Sequence, residues 1–173
     1  MRSLRECARF DSRNRRVVSH RPRWAVALAA VVLLGFRVGA QNAPRPESLI
    51  KWRQSAYQVL AWNSGRIKAA LAGKYDAREV RSAAVALAGV ANSGLPDLFA
   101  GGTAAGKGWR ETSASPAVFS EAAKFRTLNE EFAREANELA RLSADGNQQA
   151  VNGQFLKVAQ ACKSCHEHFR QTD

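Results

Sequence analysis

The sequence predicts an all-α protein, an antiparallel four-helix bundle whose helices run up-down-up-down. Four segments repeat apolar residues at steps of three and four, which is the helical period, and the sequence contains no alternating strand pattern. Helix start and stop signals separate the four segments. Four helices joined in this order and packed at about 20° are the economical way to bury four apolar stripes.

The first forty residues have the composition of an export signal. A basic region precedes the apolar run Trp24–Phe36, and the small residues Val38-Gly39-Ala40 stand before Gln41. Thirteen apolar residues are fewer than the roughly 20 that a membrane-spanning helix needs. We therefore expect residues 1–40 to be a signal peptide cleaved near Ala40/Gln41, and residues 41–173 to form one domain. An uncleaved membrane anchor is the alternative.

Most of the positive charge belongs to the export segment. The chain has a net charge of +11, and residues 1–40 hold nine arginines against Glu6 and Asp11, which leaves +4 for the rest. The remaining Lys and Arg residues are spread among acidic residues rather than clustered in a stripe. The sequence therefore predicts no nucleic-acid partner.

Two helices are predicted in the first half of the domain. The first begins near Pro46, a favoured first helical residue, and ends at Gly73. The second is capped by Asp76 and ends near Ser93, where the Gly94–Pro96 segment stops it. The apolar stripe of the first helix comprises Leu49, Trp52, Ala56, Tyr57, Leu60, Ile67 and Leu71.

Residues 94–114 contain five glycines and no apolar period, so we expect a long connection that wraps a cofactor. Ser115-Pro116 predicts the start of a third helix, which Asp145-Gly146 ends. The fourth helix is predicted over residues 148–171. We expect the aromatic residues of these helices to belong to the core: Phe119, Phe125, Phe132 and Phe155.

The fourth helix carries the motif around which the chain is organised, Cys162-Lys163-Ser164-Cys165-His166. Cys-x-x-Cys-His is the attachment signature of c-type haem, in which two thiols bond to the porphyrin edge and the histidine ligates iron. On a helix, Cys162, Cys165 and His166 share one face. The sequence therefore predicts one haem c per chain, covalent through Cys162 and Cys165, with His166 as the axial ligand.

A zinc half-site and a dithiol redox pair are the alternative interpretations of the two cysteines. Zinc needs four ligands, but the third and last cysteine, Cys7, lies in the export segment. A thioredoxin-like pair opens a helix in a βαβ pattern, whereas this pair lies late in a helix.

A second axial ligand is missing from the sequence. Met1 is the single methionine, His20 lies in the export segment, and His168 points to another side of the helix from His166. Tyr57 and lysine are uncommon ligands in c-type proteins. We therefore expect five-coordinate, high-spin iron with an open distal face.

The domain resembles the cytochrome c′ family of class II c-type cytochromes. The resemblance covers nearly all of residues 41–173 and includes residues 45–56, Leu95-Pro96 with Phe99, the Ser115–Phe119 helix start, and the haem motif followed by Arg170. It implies a homodimeric four-helix bundle with five-coordinate haem that binds nitric oxide and carbon monoxide. Nitric oxide scavenging is the function it favours, and electron transfer is the alternative.

The resemblance also implies roles for single residues. Arg53 and Gln54 occupy positions that bond the haem propionates, Tyr57 lies over the distal face of the iron, and Arg170 matches a proximal arginine. Trp52 and Trp62 are candidates for a dimer interface formed by the first two helices. Further residues are expected to flank the haem crevice: Phe99, Glu111, Thr112 and Ser113.

Thioether attachment takes place outside the cytoplasm, so we expect the protein in the periplasm of a Gram-negative bacterium. The expected partners are diatomic gases and periplasmic redox proteins, with no stable membrane insertion after signal cleavage. An enzyme is disfavoured because no distal histidine is available as a general base.

Overall fold

A computed structural model describes residues 43–171 as a helical bundle. The predicted signal peptide, with Met1, Cys7 and His20, lies outside the described residues. The described part contains isolated β-bridges but no strand, which confirms the predicted fold class. Its four long helices are α1 (Pro46–Ala72), α2 (Ala77–Ala91), α3 (Ala122–Ser143) and α4 (Gln148–Phe169).

Both predicted boundaries of the first helix and the predicted start of the second are confirmed, but α2 ends at Ala91, two residues before the predicted Ser93. Pro46 is the first residue of α1, and Gly73 donates its backbone N–H to Ala69 O as the helix ends. Asp76 caps α2, since its carboxylate accepts hydrogen bonds from the N–H groups of Arg78 and Glu79 at 2.9 and 3.2 Å. The side chain therefore satisfies backbone donors that the first turn of any helix leaves open.

The third predicted helix is wrong at its start. The structure has a short helix, Ala117–Ser120, and then a break at Glu121, where φ is −116° and ψ is 40°. The first turn is tied to the end of α4, because Ser115 N donates to Phe169 O at 2.9 Å. That contact orients the turn along the end of α4, so α3 begins only after the break.

The fourth helix begins as predicted and ends two residues early. Asn147 caps α4 by accepting a hydrogen bond from Ala150 N at 3.1 Å. At the other end Arg170 leaves the helix with an extended backbone and forms a bridge with Ala114 of the connection. The end of α4 is therefore fastened to the segment that precedes α3.

Helices that follow one another in the chain pack together: α1 on α2, α2 on α3, and α3 on α4. Their shared core is aliphatic, with Ile67, Leu87, Leu139 and Val151 almost fully buried. The backbones of α1 and α4 do not pack closely against each other. This separation leaves space between the first and last helices, which is where the candidate site lies.

Within residues 43–171, no helix combines the length and the apolar character that crossing a membrane requires.

Candidate functional site

A cavity of about 550 Å³ lies between α1 and α4, which is within the usual size range of cofactor sites. The connection between α2 and α3 supplies part of its wall, as predicted for a segment that wraps a cofactor. Most side chains that line the cavity are apolar. Among them are Leu60, Phe99, Val118, Phe125, Leu128, Phe132 and Phe169.

The haem motif lies on the α4 wall of this cavity. Cys162, Cys165 and His166 all line it, as their shared helical face predicts, and both thiols are free and half-buried. Burial raises the pKa of Cys162, and raises the pKa of Cys165 to about 11. Burial and the nearby Arg170 guanidinium lower the pKa of His166, so its imidazole is neutral at pH 7 and able to ligate a metal.

Tyr57 lies on the α1 wall of the same cavity, as the resemblance implies. Its ring packs edge-on against Phe99, with the ring centroids 6.4 Å apart. Burial, and to a smaller extent the Cys165 thiol, raise the pKa of Tyr57 above its ordinary value. The phenol is therefore a neutral hydrogen-bond donor throughout the physiological pH range.

A row of aromatic rings continues from Tyr57 to the far end of α4. Phe99 packs edge-on against Phe125 at 4.8 Å, and Phe125 against Phe169 at 5.3 Å. Val118 of the short helix joins this cluster. The connection, α3 and α4 thus share one apolar wall of the cavity.

Arg53 is almost completely buried and is held by the connection. Its guanidinium donates to the carbonyl oxygens of Leu98 and Thr103 and to the hydroxyls of Thr103 and Thr112, at distances between 2.6 and 3.4 Å. It also lies over the Phe99 ring at 4.5 Å, and burial lowers its pKa. Arg53 lines the cavity, but both terminal nitrogens have their donors taken by the chain itself.

Gln54 also fastens the connection to α1. Its amide nitrogen donates to Arg110 O at 2.9 Å, and its amide oxygen accepts the Trp109 N–H at 2.7 Å. Gly108 lies so close to α1 that a Cβ atom built there would stand 2.8 Å from Lys51 N. Arg53 and Gln54 therefore hold the connection on α1, and their contact with the haem propionates stays a prediction.

The remaining predicted residues divide into two groups. Phe99, Thr112, Ser113 and Arg170 line the cavity. Glu111 does not: its side chain is exposed, and its backbone pairs with Lys107 within a tight turn. Glu111 is therefore outside the set of lining residues although its neighbour Thr112 belongs to it.

Sequence reasoning did not identify several residues of the site. Phe125 and Phe132 were assigned to the core alone, yet both also line the cavity, and their seven-residue spacing places them on one face of α3. Arg110 has no periodic signal, because it lies in the irregular connection. Only the folded path of that segment brings it to the rim.

The residues present fit a covalently attached haem. Two unpaired thiols and a neutral imidazole lie on one wall of a large, mainly apolar cavity. Across residues 43–171, no three His, Cys, Asp or Glu side chains are grouped as ligands for a metal ion, so the zinc alternative lacks a ligand set there. The helical setting of the two cysteines likewise differs from that of a thioredoxin-like pair.

Known proteins with similar sequences and folds agree with this site. A protein-family model described as Cytochrome C′ matches residues 48–170. Cytochrome c′ from Rhodocyclus tenuis is 49% identical over 130 residues, which is 75% of this chain and 98% of that protein. Cytochrome c′ from Allochromatium vinosum is 39% identical over 147 residues, 84% of this chain and 96% of that protein.

Solved structures extend the likeness to the whole bundle. A cytochrome c′ described as having an unusual ligand-controlled dimer dissociation is 39% identical, with a TM-score of 0.73 over 76% of this chain and 100% of its own. The match includes all four long helices, the haem motif and the connection. The chain therefore belongs to the cytochrome c′ family, whose members carry covalently bound haem c.

Proposed function

We propose that this protein is a five-coordinate haem protein that binds diatomic gases, above all nitric oxide, without turning them over. One observation carries the proposal. Among the described residues that line the cavity, His166 is the one histidine, and no methionine or lysine stands on the walls around it. The chain therefore offers iron a strong ligand from one side only.

The residues of the cavity take distinct roles in this proposal. Cys162 and Cys165 would hold the haem covalently, and His166 would ligate its iron. The haem would supply an iron site for a diatomic ligand. Tyr57 of α1 would crowd that ligand, and its neutral phenol could donate a hydrogen bond to it.

Two relatives support gas binding. A mutant of cytochrome c′ from Alcaligenes xylosoxidans has been solved as a nitric oxide complex, at 25% identity and a TM-score of 0.68 over 76% of this chain. Another variant from the same organism has been solved with carbon monoxide bound, at 26% identity and a TM-score of 0.67. The cavity of the present chain has the same helical frame.

The side chains that line the cavity favour the binding of a gas without its chemical conversion. Its lining within residues 43–171 includes no carboxylate and no histidine besides His166. General acid–base catalysis needs such a group within hydrogen-bond reach of the reacting atoms. Tyr57 does not replace such a group as a general base, because burial raises the pKa of its phenol and keeps it protonated.

We place the protein in the periplasm, with residues 1–40 removed as a signal peptide. The c-type attachment of haem supports this location, since it takes place outside the cytoplasm. The proposal is tested by expressing the full chain together with haem-attachment machinery and sequencing the purified protein. An N-terminus at Gln41 agrees with it, whereas a product that keeps residues 1–40 contradicts it.

A homodimer formed through α1 and α2 completes the proposal. Trp52, Val59 and Trp62 are 52%, 41% and 64% exposed, and they fall within about 80° of one another around α1. Val85 of α2 is 53% exposed. Large exposed apolar groups gathered on one face are typical of an interface, and here a second copy of the chain is the partner.

Electron transfer is the second candidate function. It is favoured by one observation, the position of His166 in the last turn of α4, at one end of the bundle. An iron ligand near the surface shortens the path to a redox partner.

Rapid mixing of the reduced holoprotein with nitric oxide separates these possibilities. Gas binding predicts one spectral change that persists until the ligand dissociates. Continued consumption of nitric oxide in the presence of a reductant would show turnover and contradict the proposal. A complete lack of spectral change would leave electron transfer as the function.

A further inference from the structure

Arg53 uses nearly all of its hydrogen-bond donors within the described part of the protein. An arginine has five N–H donors, four of them on the two terminal nitrogens. Nη1 donates to Leu98 O and Thr103 Oγ1, and Nη2 donates to Thr103 O and Thr112 Oγ1. Two of these bonds, at 2.6 and 2.7 Å, are short, as expected for charged donors.

The burial of this charge makes the contacts obligatory. Arg53 is 3% exposed, and none of its partners in the described chain is a carboxylate. A buried guanidinium that no carboxylate of the described chain neutralises needs its donors bonded, because each lost bond exposes a charged group to an apolar environment. The connection, in turn, has the carbonyls of Leu98 and Thr103 satisfied by Arg53.

The same guanidinium also contacts the aromatic wall of the cavity. It lies over Phe99 at 4.5 Å, and the Phe99 ring meets Tyr57 at 6.4 Å and Phe125 at 4.8 Å. Thr112, which accepts its shortest bond, lines the cavity as well. One side chain of α1 thus contacts both the connection and the Phe99 ring beside Tyr57.

We propose that Arg53 is a positioning residue: its guanidinium fixes the connection on α1 and holds Phe99 in place against Tyr57, and so sets the distal wall of the cavity. This role rests on the proposed function and differs from the propionate contact that the resemblance implies. Only Nε keeps a donor that the connection does not use.

Hydrogen exchange on the reduced holoprotein tests the first half of the proposal. Arg53→Met keeps an unbranched side chain and removes the donors, and Arg66→Met is the control, because Arg66 leaves α1 toward Trp62 and Glu79. In Arg53→Met we expect the amides of Thr103 and Thr112 to exchange at least about tenfold faster. In Arg66→Met we expect both to exchange as in the unmodified protein.

The carbon monoxide association rate tests the second half. Freeing Phe99 lets Tyr57 move aside, so the rate should rise in Arg53→Met and stay unchanged in Arg66→Met. If Arg53→Met fails to fold, Thr112→Val provides the test, because it deletes one acceptor and keeps the arginine. It should raise both the exchange rate at Thr103 and the association rate.

The proposal would be overturned if the amides of Thr103 and Thr112 in Arg53→Met, or the amide of Thr103 in Thr112→Val, exchanged within about twofold of their rates in the unmodified protein. A shift in the pH dependence of the reduction potential without faster exchange would do the same, and would return Arg53 to a propionate contact. The exchange measurement does not depend on gas binding. A protein that binds no gas would refute the proposed function and leave this result standing.

Discussion

At the scale of single residues, Tyr57 determines what a ligand meets on the open face of the proposed haem. Its ring is half-buried and packs edge-on against Phe99, so a ligand that occupies the same space must first displace the ring. Displacing a packed ring costs free energy that is subtracted from the binding free energy. Selectivity among gases then depends on how far the free energy of binding each gas to the iron exceeds this cost.

Replacing Tyr57 by alanine should therefore raise the affinity for carbon monoxide. We expect about a tenfold lower Kd, equivalent to about 1.4 kcal/mol, measured by titrating the reduced protein. Tyr57→Phe is the control: it keeps the bulk that crowds the ligand and deletes the hydroxyl, so its Kd should not fall below that of the unmodified protein. An unchanged Kd in Tyr57→Ala would remove Tyr57 from the distal face.

Tyr75 offers a prediction that is independent of the cofactor. Its hydroxyl is buried and has no hydrogen-bond partner among the described residues, and burial raises its pKa above the ordinary 10.0. Tyr75→Phe should raise the free energy of unfolding by about 1 kcal/mol, because it removes an unsatisfied polar group. Urea denaturation of the holoprotein measures the change, and a loss of stability would show that the hydroxyl is bonded.

The raised pKa of Tyr75 also fixes the sign of a pH effect. The phenol ionises more readily in the unfolded chain, so unfolding releases a proton once the pH passes 10.0. The contribution that the raised pKa of Tyr75 makes to the free energy of unfolding is therefore fully present below pH 10.0. It is lost as the pH rises through the pKa of Tyr75 in the folded protein. Tyr75→Phe should lose less stability between pH 9 and 11 than the unmodified protein.

At the scale of elements, the connection between α2 and α3 is the least regular and most constrained segment of the described chain. Arg53 and Gln54 bond to it from α1, and Trp109 Nε1 donates to Ser55 Oγ at 2.9 Å. Glycine is required where the two backbones meet. A Cβ atom at Gly108 would lie 2.5 Å from Gln54 Oε1 and 2.9 Å from Ile50 Cγ2.

Gly108→Ala should consequently destabilise the holoprotein by about 1–3 kcal/mol, the usual cost of inserting a methyl group into a packed contact. Gly101→Ala is the matched control in the same connection, because a Cβ atom there meets nothing within 4 Å. Urea denaturation of both variants measures the difference. Equal stabilities would show that the connection is not pressed against α1.

The same elements show how far the sequence predicts the structure. Helix boundaries are local, so Pro46 and Asp76 identify them correctly from propensity and capping alone. The break at Glu121 is not local, because it follows from the bond between Ser115 and Phe169, residues far apart in the chain. Patterns within one segment carry no information about such contacts.

The candidate site likewise contains residues whose positions the sequence predicts and residues whose positions it does not. Cys162, Cys165 and His166 lie on one helix, so their spacing alone brings them together. The partners of Arg53 are carbonyls and hydroxyls of an irregular segment, which any residue type can present. Only the folded connection shows that the guanidinium is already bonded and that Glu111 is not among the residues that line the cavity.

At the scale of the whole molecule, α1 presents a cavity wall on one side and exposed aromatic residues on the other. Trp52, Val59 and Trp62 lie roughly opposite Tyr57 around the helix axis. A dimer built on this face would therefore share a helix with the proposed gas-binding site.

Trp62→Glu tests the dimer. A carboxylate in place of the most exposed side chain of this face should weaken association at least about tenfold, because burying an unpaired charge is unfavourable. Leu156→Glu is the control, since Leu156 is 63% exposed on α4, away from the exposed faces of α1 and α2. Sedimentation should show a dimer for the control and a monomer for Trp62→Glu. If the unmodified protein and both variants all sediment as monomers, the proposed interface is rejected.

The central claim is that the protein ligates haem iron from the His166 side alone. The absorption spectrum of the reduced holoprotein at neutral pH, recorded before and after addition of carbon monoxide, tests it most directly. We predict the spectrum of five-coordinate, high-spin haem, converted by carbon monoxide to a six-coordinate, low-spin form. A low-spin, six-coordinate spectrum that carbon monoxide leaves unchanged would contradict the account.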